Sequence, residues 1–276
     1  MGKHSRRARR GAVAPLGATA RRALVVVLLA ALASLSAAGA AAAEKYVALG
    51  DSYASGTGTR QYTDAGCQRS VYAYPSLIDA QRPDTDLVFA ACSGATTSSV
   101  LSGQVASLTS DTDIVTISVG GNDAGFSSVI TQCALPWPWS CTSHLNDAQA
   151  FIRGTLPGRL DSVYAEIARR APAATVVVLG YPRLFMGVDC NAGTFFSGDE
   201  LTRMNQTADL LRDVTRARAT AAGFAFVDAI PAFTGHAVCS SSEWINGLSN
   251  PVGESYHPNR AGHSAGYAPL VRAVIG

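Results

Sequence analysis

Short, nearly continuous apolar runs recur between residues 44 and 276, and longer segments with helical periodicity separate them. The apolar runs predict five strands, at 45–49, 86–90, 113–119, 175–179 and 224–228. Strands that are apolar on both faces suit a parallel sheet covered by helices on both sides, whereas half-exposed antiparallel strands alternate polar and apolar positions. The pattern therefore favours an α/β protein.

The segments between the strands carry the apolar spacing and the end signals of helices. We expect helices at 74–81, 98–108, 156–170, 200–222 and 259–274. Gly223 directly follows the fourth of these, at a position where helices commonly end. One face of that helix carries a stripe of Leu201, Met204, Ala208, Leu211 and Thr215. Such a stripe is typical of core packing, so we do not assign it to a binding surface.

Strands joined by helical crossovers predict a doubly wound, three-layer fold with a five-stranded parallel sheet, in which ligands bind beyond the carboxyl ends of the strands. Ser52, Gly94 and Asn122 follow the ends of the first three predicted strands. Because these ends share one edge of the sheet, their placement indicates a single site. We see no internal repeat in residues 44–276 and expect them to form one domain.

The first 43 residues differ in character from the rest. They contain basic residues and no acidic ones, then an apolar run at 23–35, then small residues ending at Ala43. This is the pattern of a secretory signal peptide, and we expect cleavage near Ala43 and export of residues 44–276. A membrane anchor is less favoured, because the apolar run is shorter than the ~20 residues that span a bilayer. Arg21 and Arg22 are compatible with a twin-arginine signal, so the export route stays open.

Removal of this segment reverses the net charge of the chain. The segment holds seven of the 22 Lys and Arg residues and none of the 20 Asp and Glu, which leaves 15 basic and 20 acidic side chains and a net charge of −5. No basic run remains after residue 43, and this argues against binding to nucleic acid.

All six cysteines lie in the part that we expect to be exported: Cys67, Cys92, Cys133, Cys141, Cys190 and Cys239. An even number in an exported protein predicts three disulfides. Many pairings are possible, but the short spacing between Cys133 and Cys141 favours a bond between these two. A zinc site is the alternative, and no C-x-x-C or paired-histidine spacing supports it. We therefore expect neither a metal nor a cofactor.

Ser52 stands in the run Gly50-Asp51-Ser52, immediately after the first predicted strand. A serine hydroxyl becomes a nucleophile only when a base removes its proton and donors stabilise the oxyanion that forms. Taken alone, Ser52 more often caps a helix, and Gly94 and Asn122 are compatible with ordinary turns. The neutral amide of Asn122 could, however, donate to an oxyanion, and Gly94 has no side chain to shield its N–H.

Taken together, these blocks resemble the SGNH (GDSL-type) hydrolase family, which has a Gly-Asp-Ser serine, a glycine, a Gly-x-Asn-Asp asparagine and a late histidine in this order. The resemblance covers nearly all of residues 44–276. It implies a flavodoxin-like fold with Ser52 as nucleophile and His257 as general base and then acid. The oxyanion hole would consist of the N–H groups of Ser52 and Gly94 and the amide of Asn122. Secreted members of the family further imply disulfides in sequence order: Cys67 with Cys92, and Cys190 with Cys239.

His257 competes with three other histidines after the first strand. His144, His236 and His263 have an ordinary surface histidine as their simplest interpretation. His257 alone matches the late block of the family, and it stands shortly before the last predicted helix. We therefore assign the base to His257.

A second serine motif competes with Ser52. Residues 262–266 have the form G-x-S-x-G, with Ser264 at the position of the α/β-hydrolase nucleophile. That nucleophile follows a strand and precedes its acid and its histidine in the chain. None of the residues after Gly266 is Asp, Glu or His, so we assign Ser264 to the last helix.

The group that orients His257 is left open by the sequence. Many family members have an acid three residues before the histidine, and Glu254, one methylene longer than aspartate, stands there. The resemblance to secreted lipases of this branch implies instead a main-chain carbonyl, here that of Ser255, which fixes the tautomer of the imidazole. We expect a Ser52-His257 dyad assisted by this carbonyl, with Glu254 as a secondary, solvent-facing group.

The resemblance implies a secreted carboxylic-ester hydrolase, a lipase or esterase that cleaves fatty acyl esters through an acyl-enzyme. A phospholipase A1 or A2 is the nearest alternative, and a carbohydrate acetylesterase is the next. An inactive cell-surface binding protein is the alternative outside the enzymes, and the complete set of blocks argues against it. We expect a monomer that binds an acyl ester or a lipid; the sequence leaves its chain-length preference open.

Two of the three tryptophans, Trp137 and Trp139, stand in the loop 133–141. Local packing under a disulfide is the simplest interpretation of this loop. Two prolines stiffen it, so the indoles could instead meet an acyl chain or a lipid-water interface, which suits the mixed character of tryptophan. The sequence leaves both interpretations open.

Overall fold

A five-stranded sheet forms the centre of the molecule. Its strands are β1 (Glu44–Gly50), β2 (Thr85–Phe89), β3 (Ile114–Ser118), β4 (Thr175–Leu179) and β5 (Ala225–Val227). They pair in parallel in the order β2-β1-β3-β4-β5. Val47 on β1 lies opposite Val88 on β2 and Val115 on β3. Each strand end lies within one residue of its predicted position, because runs this apolar are stable only when they are buried in such a sheet.

The computed structural model describes residues 1–2, 11 and 43–276 of the chain. The signal peptide predicted for residues 1–43 lies almost entirely outside these described residues and stays a prediction. Ala43–Gly276 form one compact unit. Among the helices of the described part, none is both long enough and apolar enough to cross a bilayer.

Helices follow each strand and cover both faces of the sheet. They are α1 (Ser52–Ser55), α2 (Tyr74–Asp79), α3 (Thr97–Ser102), α4 (Phe126–Cys133), α5 (Thr142–Gly154), α6 (Leu156–Arg170), α7 (Gly198–Ala221), α8 (Ala229–Phe233) and α9 (Ala268–Ile275). α3, α5, α6 and α7 pack together in one layer, and α2, α8 and α9 belong to the other. The predicted doubly wound, three-layer fold is therefore confirmed.

The longest helix, α7, shows how the pattern selects its buried face. Ser197 and Glu200 form a reciprocal capping box at its start, which satisfies N–H groups that no helical carbonyl can reach. The predicted stripe faces inward, with Leu201, Met204, Ala208, Leu211 and Thr215 all buried. Assignment of the stripe to core packing is confirmed.

Two helix predictions need correction. The single helix expected at 98–108 is interrupted at Gly103, whose φ of −134° and ψ of −64° lie outside helical values, and a 3₁₀ turn follows at Gln104–Ser107. The C-terminal helix expected at 259–274 contains a π-helical segment, Gly262–Tyr267, before α9. A Cβ on Gly266 would lie 2.5 Å from the ring of Phe233, so this glycine permits close packing there.

The six cysteines form three disulfides between neighbours in sequence order, as the resemblance implies. The pairs are Cys67–Cys92, Cys133–Cys141 and Cys190–Cys239. The second bond closes the loop that carries the tryptophans, across eight residues of sequence. The third joins segments 49 residues apart, one after β4 and one after β5.

Candidate active site

Ser52 is the first residue of α1, directly after the turn that ends β1. Gly50 in this turn has a φ of 126°, and a Cβ at this position would lie 2.5 Å from the carbonyl oxygen of Ser118, so the turn requires glycine. The side-chain amide of Gln104 donates to the Gly50 carbonyl at 2.8 Å and accepts from its N–H at 2.7 Å. These contacts fix the backbone next to Ser52.

The hydroxyl of Ser52 lies against the imidazole of His257. Ser52 Oγ is 2.9 Å from His257 Nε2, and His257 Nδ1 is 2.9 Å from the carbonyl oxygen of Ser255. Because a carbonyl can only accept a hydrogen bond, Nδ1 carries the ring proton and Nε2 is free to accept from the serine. Burial lowers the pKa of His257 to about 4, although the bond to Ser255 opposes that shift. The imidazole is therefore a neutral base near pH 7.

The loop that carries His257 is fixed by long-range hydrogen bonds. Tyr256 has a φ of 61°, which is rare for a tyrosine. The hydroxyl of Tyr53 donates to the Tyr256 carbonyl at 2.7 Å, so the residue after Ser52 contacts the residue before His257. Asn246 accepts from the Tyr256 N–H at 2.9 Å and donates to the His257 carbonyl at the same distance.

The structure also brings the Asn122 and Gly94 loops together. Asn122 Nδ2 donates to the carbonyl of Ala95 at 2.9 Å, which leaves its second amide hydrogen available. Gly94 has a φ of 80°, where a side chain would be strained. Within the described residues, the N–H groups of Ser52 and Gly94 have no protein acceptor. This arrangement provides three donors at the carboxyl edge of the sheet.

Glu254 differs from the expectation. The prediction that it faces solvent is wrong, since its side chain is buried with the residue only 2% exposed. The 3₁₀ turn Val252–Glu254 directs it inward, where its Oε1 accepts from the Tyr62 hydroxyl at 2.7 Å and its Oε2 lies 3.5 Å from Arg60 Nε. Its carboxylate therefore anchors the loop, while Ser255 contacts the imidazole.

A deep, mostly apolar pocket of about 480 Å³ opens at the Ser52 hydroxyl. Ser52, Asn122 and His257 line its polar end. Its apolar walls include Phe126, Ile130, Leu135, Leu184, Leu211 and Val252. Gly94 does not line it, but is adjacent to Ala95, the residue that Asn122 binds. A volume of this size is within the range of sites for drug-sized ligands.

The loop 133–141 projects its indoles outward. Trp137 is 91% exposed and Trp139 is 64% exposed, so local packing does not account for either side chain. Leu135 in the same loop is also exposed and lines the pocket. The loop therefore extends the apolar wall of the pocket onto the surface.

Two of the other histidines have structural contacts. His263 is fully buried, and its Nδ1 accepts from the backbone N–H of Tyr74 at 3.2 Å. His236 stacks on Trp244 with ring centroids 3.9 Å apart. Burial lowers the pKa of His263 to about 3, so it is neutral as well. Neither is in hydrogen-bond contact with Ser52.

Three further residues support the site through contacts that the local motifs do not show. Asp51, which stands between Gly50 and Ser52, is buried and accepts hydrogen bonds from the Tyr53 N–H, the Ser118 hydroxyl and the Tyr181 hydroxyl. Burial raises its pKa to about 7, against the effect of these donors. Tyr181 and Gln104 were missed altogether. Tyr181 follows the end of β4, so the strand-end rule that selected Ser52 could have found it.

Only one group of acidic, histidine or cysteine side chains in the described part has the spacing of a metal site. It consists of Cys133, Cys141 and Glu200. The two cysteines share a disulfide, so they are not available as ligands. A metal-free mechanism stays a prediction.

Comparisons with known proteins place the chain in a family. A model of the GDSL-like lipase/acylhydrolase family matches residues 48–265. Lipase 1 of Streptomyces coelicolor is 46% identical over 246 residues, which cover 88% of this chain and 91% of that protein. The crystal structure of an extracellular lipase from Streptomyces rimosus has a TM-score of 0.80 and 44% identity, covering 84% of this chain and 100% of that one. The structure of phospholipase A1 from Streptomyces albidoflavus has a TM-score of 0.79 and 45% identity, with the same coverage.

The doubly wound fold and these matches define the class of the protein, which is an ester hydrolase. The chain belongs to the GDSL-like lipase/acylhydrolase family, whose model matches most of its length. The predicted family membership is thereby confirmed.

Proposed function

We propose that the protein is a secreted, monomeric lipase or esterase that cleaves fatty acyl esters with Ser52 as nucleophile. The observation that carries the proposal is the contact between Ser52 Oγ and His257 Nε2, 2.9 Å long, at the polar end of an apolar pocket. A neutral base next to a serine supplies the chemistry, and the apolar walls suit an acyl chain. Relatives named lipases, one of them described as extracellular, support both substrate class and export.

In the first half of the reaction, Ser52 Oγ attacks the acyl carbonyl carbon while His257 Nε2 takes the hydroxyl proton. The carbonyl oxygen becomes an oxyanion, which accepts from the N–H groups of Ser52 and Gly94 and from the Asn122 amide. The carbonyl of Ser255 holds the other ring proton in place. When the intermediate collapses, the alcohol leaves with the proton from Nε2, and the acyl group stays on Ser52.

In the second half, water attacks the acyl-enzyme and gives its proton to His257 Nε2. The same donors stabilise the second oxyanion. Collapse of this intermediate returns the proton to Ser52 Oγ and releases the fatty acid. No metal or cofactor takes part in the proposed cycle.

A phospholipase A1 or A2 activity is the main alternative. The specific observation in its favour is the similarity to phospholipase A1 from Streptomyces albidoflavus, which is as high as the similarity to the lipases. A carbohydrate acetylesterase is less favoured, because an acetyl group would fill only a small part of a pocket of about 480 Å³. An inactive binding protein would not require the aligned serine and histidine.

The mouth of the pocket suits a lipid-water interface. The surface segments 124–141 and 247–253, which border it, contain no charged residue. Leu135, Trp137, Trp139, Leu248 and Val252 are exposed in these segments. Exposed tryptophans next to aliphatic side chains are typical of surfaces that enter the headgroup region of a lipid layer. We propose that this rim meets the substrate interface.

One panel of assays separates these functions. The purified protein is tested on p-nitrophenyl acetate, a long-chain p-nitrophenyl ester, triolein, phosphatidylcholine vesicles and acetylated xylan, with Ser52→Ala as the blank. We expect cleavage of the acyl esters, undiminished by a chelator. A preference for phosphatidylcholine would establish the phospholipase, activity on acetylated xylan alone would establish the acetylesterase, and no activity on any substrate would contradict the proposal.

A further inference from the structure

The hydroxyl of Tyr181 lies between two loops of the proposed site. It donates to Asp51 Oδ2, next to the nucleophile Ser52. It also accepts from the N–H of Gly121, next to Asn122, with an N–O distance of 3.4 Å. One buried hydroxyl therefore connects the residue before the nucleophile with the residue before the oxyanion donor.

The Asp51 end of this connection is constrained by burial. Asp51 Oδ1 already accepts from the Tyr53 N–H at 3.0 Å and from the Ser118 hydroxyl at 3.3 Å. The Tyr181 hydroxyl donates to the other carboxylate oxygen, Oδ2. A buried carboxyl group is costly unless its oxygens are hydrogen-bonded, so loss of the Tyr181 hydroxyl favours a shift of the Asp51 side chain. Because Asp51 caps α1, such a shift would displace Ser52.

The Gly121 end is constrained by packing. A Cβ on Gly121 would lie 3.4 Å from the ring of Tyr181, so backbone and ring are in close contact. The ring also packs edge-on against Tyr53, with centroids 5.0 Å apart. The phenol is thus held from two sides, and its hydroxyl position is defined by the fold. Replacement by phenylalanine would keep this packing and remove the connection alone.

We propose that Tyr181 is a positioning residue that keeps the Ser52 turn and the Asn122 loop in register. This inference rests on the proposed function. The oxyanion forms on the atom that Ser52 attacks, so donors on the Asn122 loop stabilise it only if the loop keeps its distance from Ser52. A displacement of about 1 Å can cost about 10²-fold in rate. The contribution of Tyr181 belongs to the transition state and is expected in kcat.

The test compares Tyr181→Phe with a matched control, Tyr164→Phe. Tyr164 is a buried tyrosine of α6 whose hydroxyl has no hydrogen-bond partner in the part of the chain that the structure describes. Both variants lose one buried hydroxyl, but only Tyr181→Phe loses the contacts with Asp51 and Gly121. On a soluble p-nitrophenyl ester we expect Tyr181→Phe to lower kcat by about 10- to 100-fold with KM unchanged. Tyr164→Phe should behave as wild type.

A double variant tests whether Tyr181 acts through the oxyanion loop. If it does, Tyr181→Phe should reduce kcat much less in an Asn122→Ala background than in the wild type. The inference would be overturned if Tyr181→Phe had the kcat of the wild type. It would also be overturned if the double variant lost kcat by the full product of the two single-variant factors. An active Ser52→Ala enzyme would instead overturn the proposed function, so the two failures are distinguishable.

Discussion

The imidazole of His257 is oriented by a neutral main-chain carbonyl. The carbonyl of Ser255 fixes the tautomer as a carboxylate would, but it gives less stabilisation to the imidazolium that forms during attack. Glu254 stands at the position of the acid in many family members. Its carboxylate, however, accepts a hydrogen bond from the Tyr62 hydroxyl and pairs with Arg60. The geometry therefore favours the proposed dyad over a triad.

Glu254→Gln separates these two assignments. We expect this variant to retain most of its kcat, whereas loss of a true triad acid costs about 10⁴-fold. Its free energy of unfolding should fall by about 1 kcal/mol or less, since the ion pair with the half-exposed Arg60 is lost. Steady-state kinetics and denaturant unfolding measure the two effects. A Glu254→Gln enzyme as inactive as His257→Ala would restore the triad.

The pH dependence of the rate follows from the burial of His257. Burial holds its pKa at about 4, below the ordinary value, so the neutral base persists in mild acid. We expect the acid limb of kcat/KM on a soluble ester to lie near pH 4, with activity present above it and lost below it. His257 binds its proton at a higher pH in the unfolded chain than in the folded chain. The free energy of unfolding therefore decreases as the pH falls from about 6.5 to about 4.

To control for unfolding in acid, the rate of each sample is measured again after its return to pH 7. An acid limb near pH 6.5 that is reversible would contradict the buried, neutral histidine. Burial raises the pKa of Asp51 to about 7. An acid limb near pH 7 that is absent in Asp51→Asn would therefore show that Asp51 is the titrating group.

Asn122→Ala tests the amide as an oxyanion donor. We expect kcat to fall by about 10²- to 10³-fold with little change in KM, because the oxyanion exists in the transition state and not in the bound ester. Thermal unfolding should be compared as well, since the bond to the Ala95 carbonyl is lost too. Normal kcat with raised KM would mean that Asn122 binds the ground state.

Residues of the site differ in how far the sequence predicts them. Ser52 and Asn122 stand in local motifs that follow strand ends, and His257 stands in a local motif of the C-terminal part. Such motifs are visible without the fold. Gln104 and Tyr181 contact the turn before Ser52 across 54 and 130 residues of sequence, respectively. A single sequence does not show which distant side chains such a turn will meet.

Among the elements of the fold, the apolar pattern predicts strands more accurately than helices. A strand of the buried sheet is apolar throughout, so its limits are sharp. The pattern does not predict α5, because most of its positions are polar and only Leu145, Ala148 and Ile152 are buried. The break at Gly103 is also a local backbone event that periodicity does not reveal.

The loop 133–141 is the element that we propose meets the lipid-water interface. Replacing Trp137 and Trp139 by alanine should raise the apparent KM on triolein emulsion or phosphatidylcholine vesicles by about tenfold, equivalent to ~1.4 kcal/mol. Rates on a soluble short-chain ester should not change. Val274→Ala removes an exposed apolar side chain from α9 and serves as the control. Equal losses on soluble and aggregated substrates would contradict an interfacial role.

At the scale of the whole molecule, the strand order assembles the site. β2, β1 and β3 are neighbours, so the segments that carry Gly94, Ser52 and Asn122 all begin at one edge of the sheet. His257 arrives from the C-terminal part, where Tyr53 and Asn246 bind its loop. The sequence predicted the sheet and its edge, but only the folded chain reveals how the histidine loop is held.

The proposed function depends on Ser52 as the nucleophile, and covalent labelling tests this role without any choice of substrate. The protein is treated with a serine-directed fluorophosphonate, and the modified peptide is identified by mass spectrometry. Ser52→Ala serves as the control, and it should stay folded because the small change at a strand end opens no large cavity. We predict modification of Ser52 in the wild type and none in Ser52→Ala. Modification of Ser264, or undiminished labelling and ester hydrolysis in Ser52→Ala, would show that Ser52 is not the nucleophile.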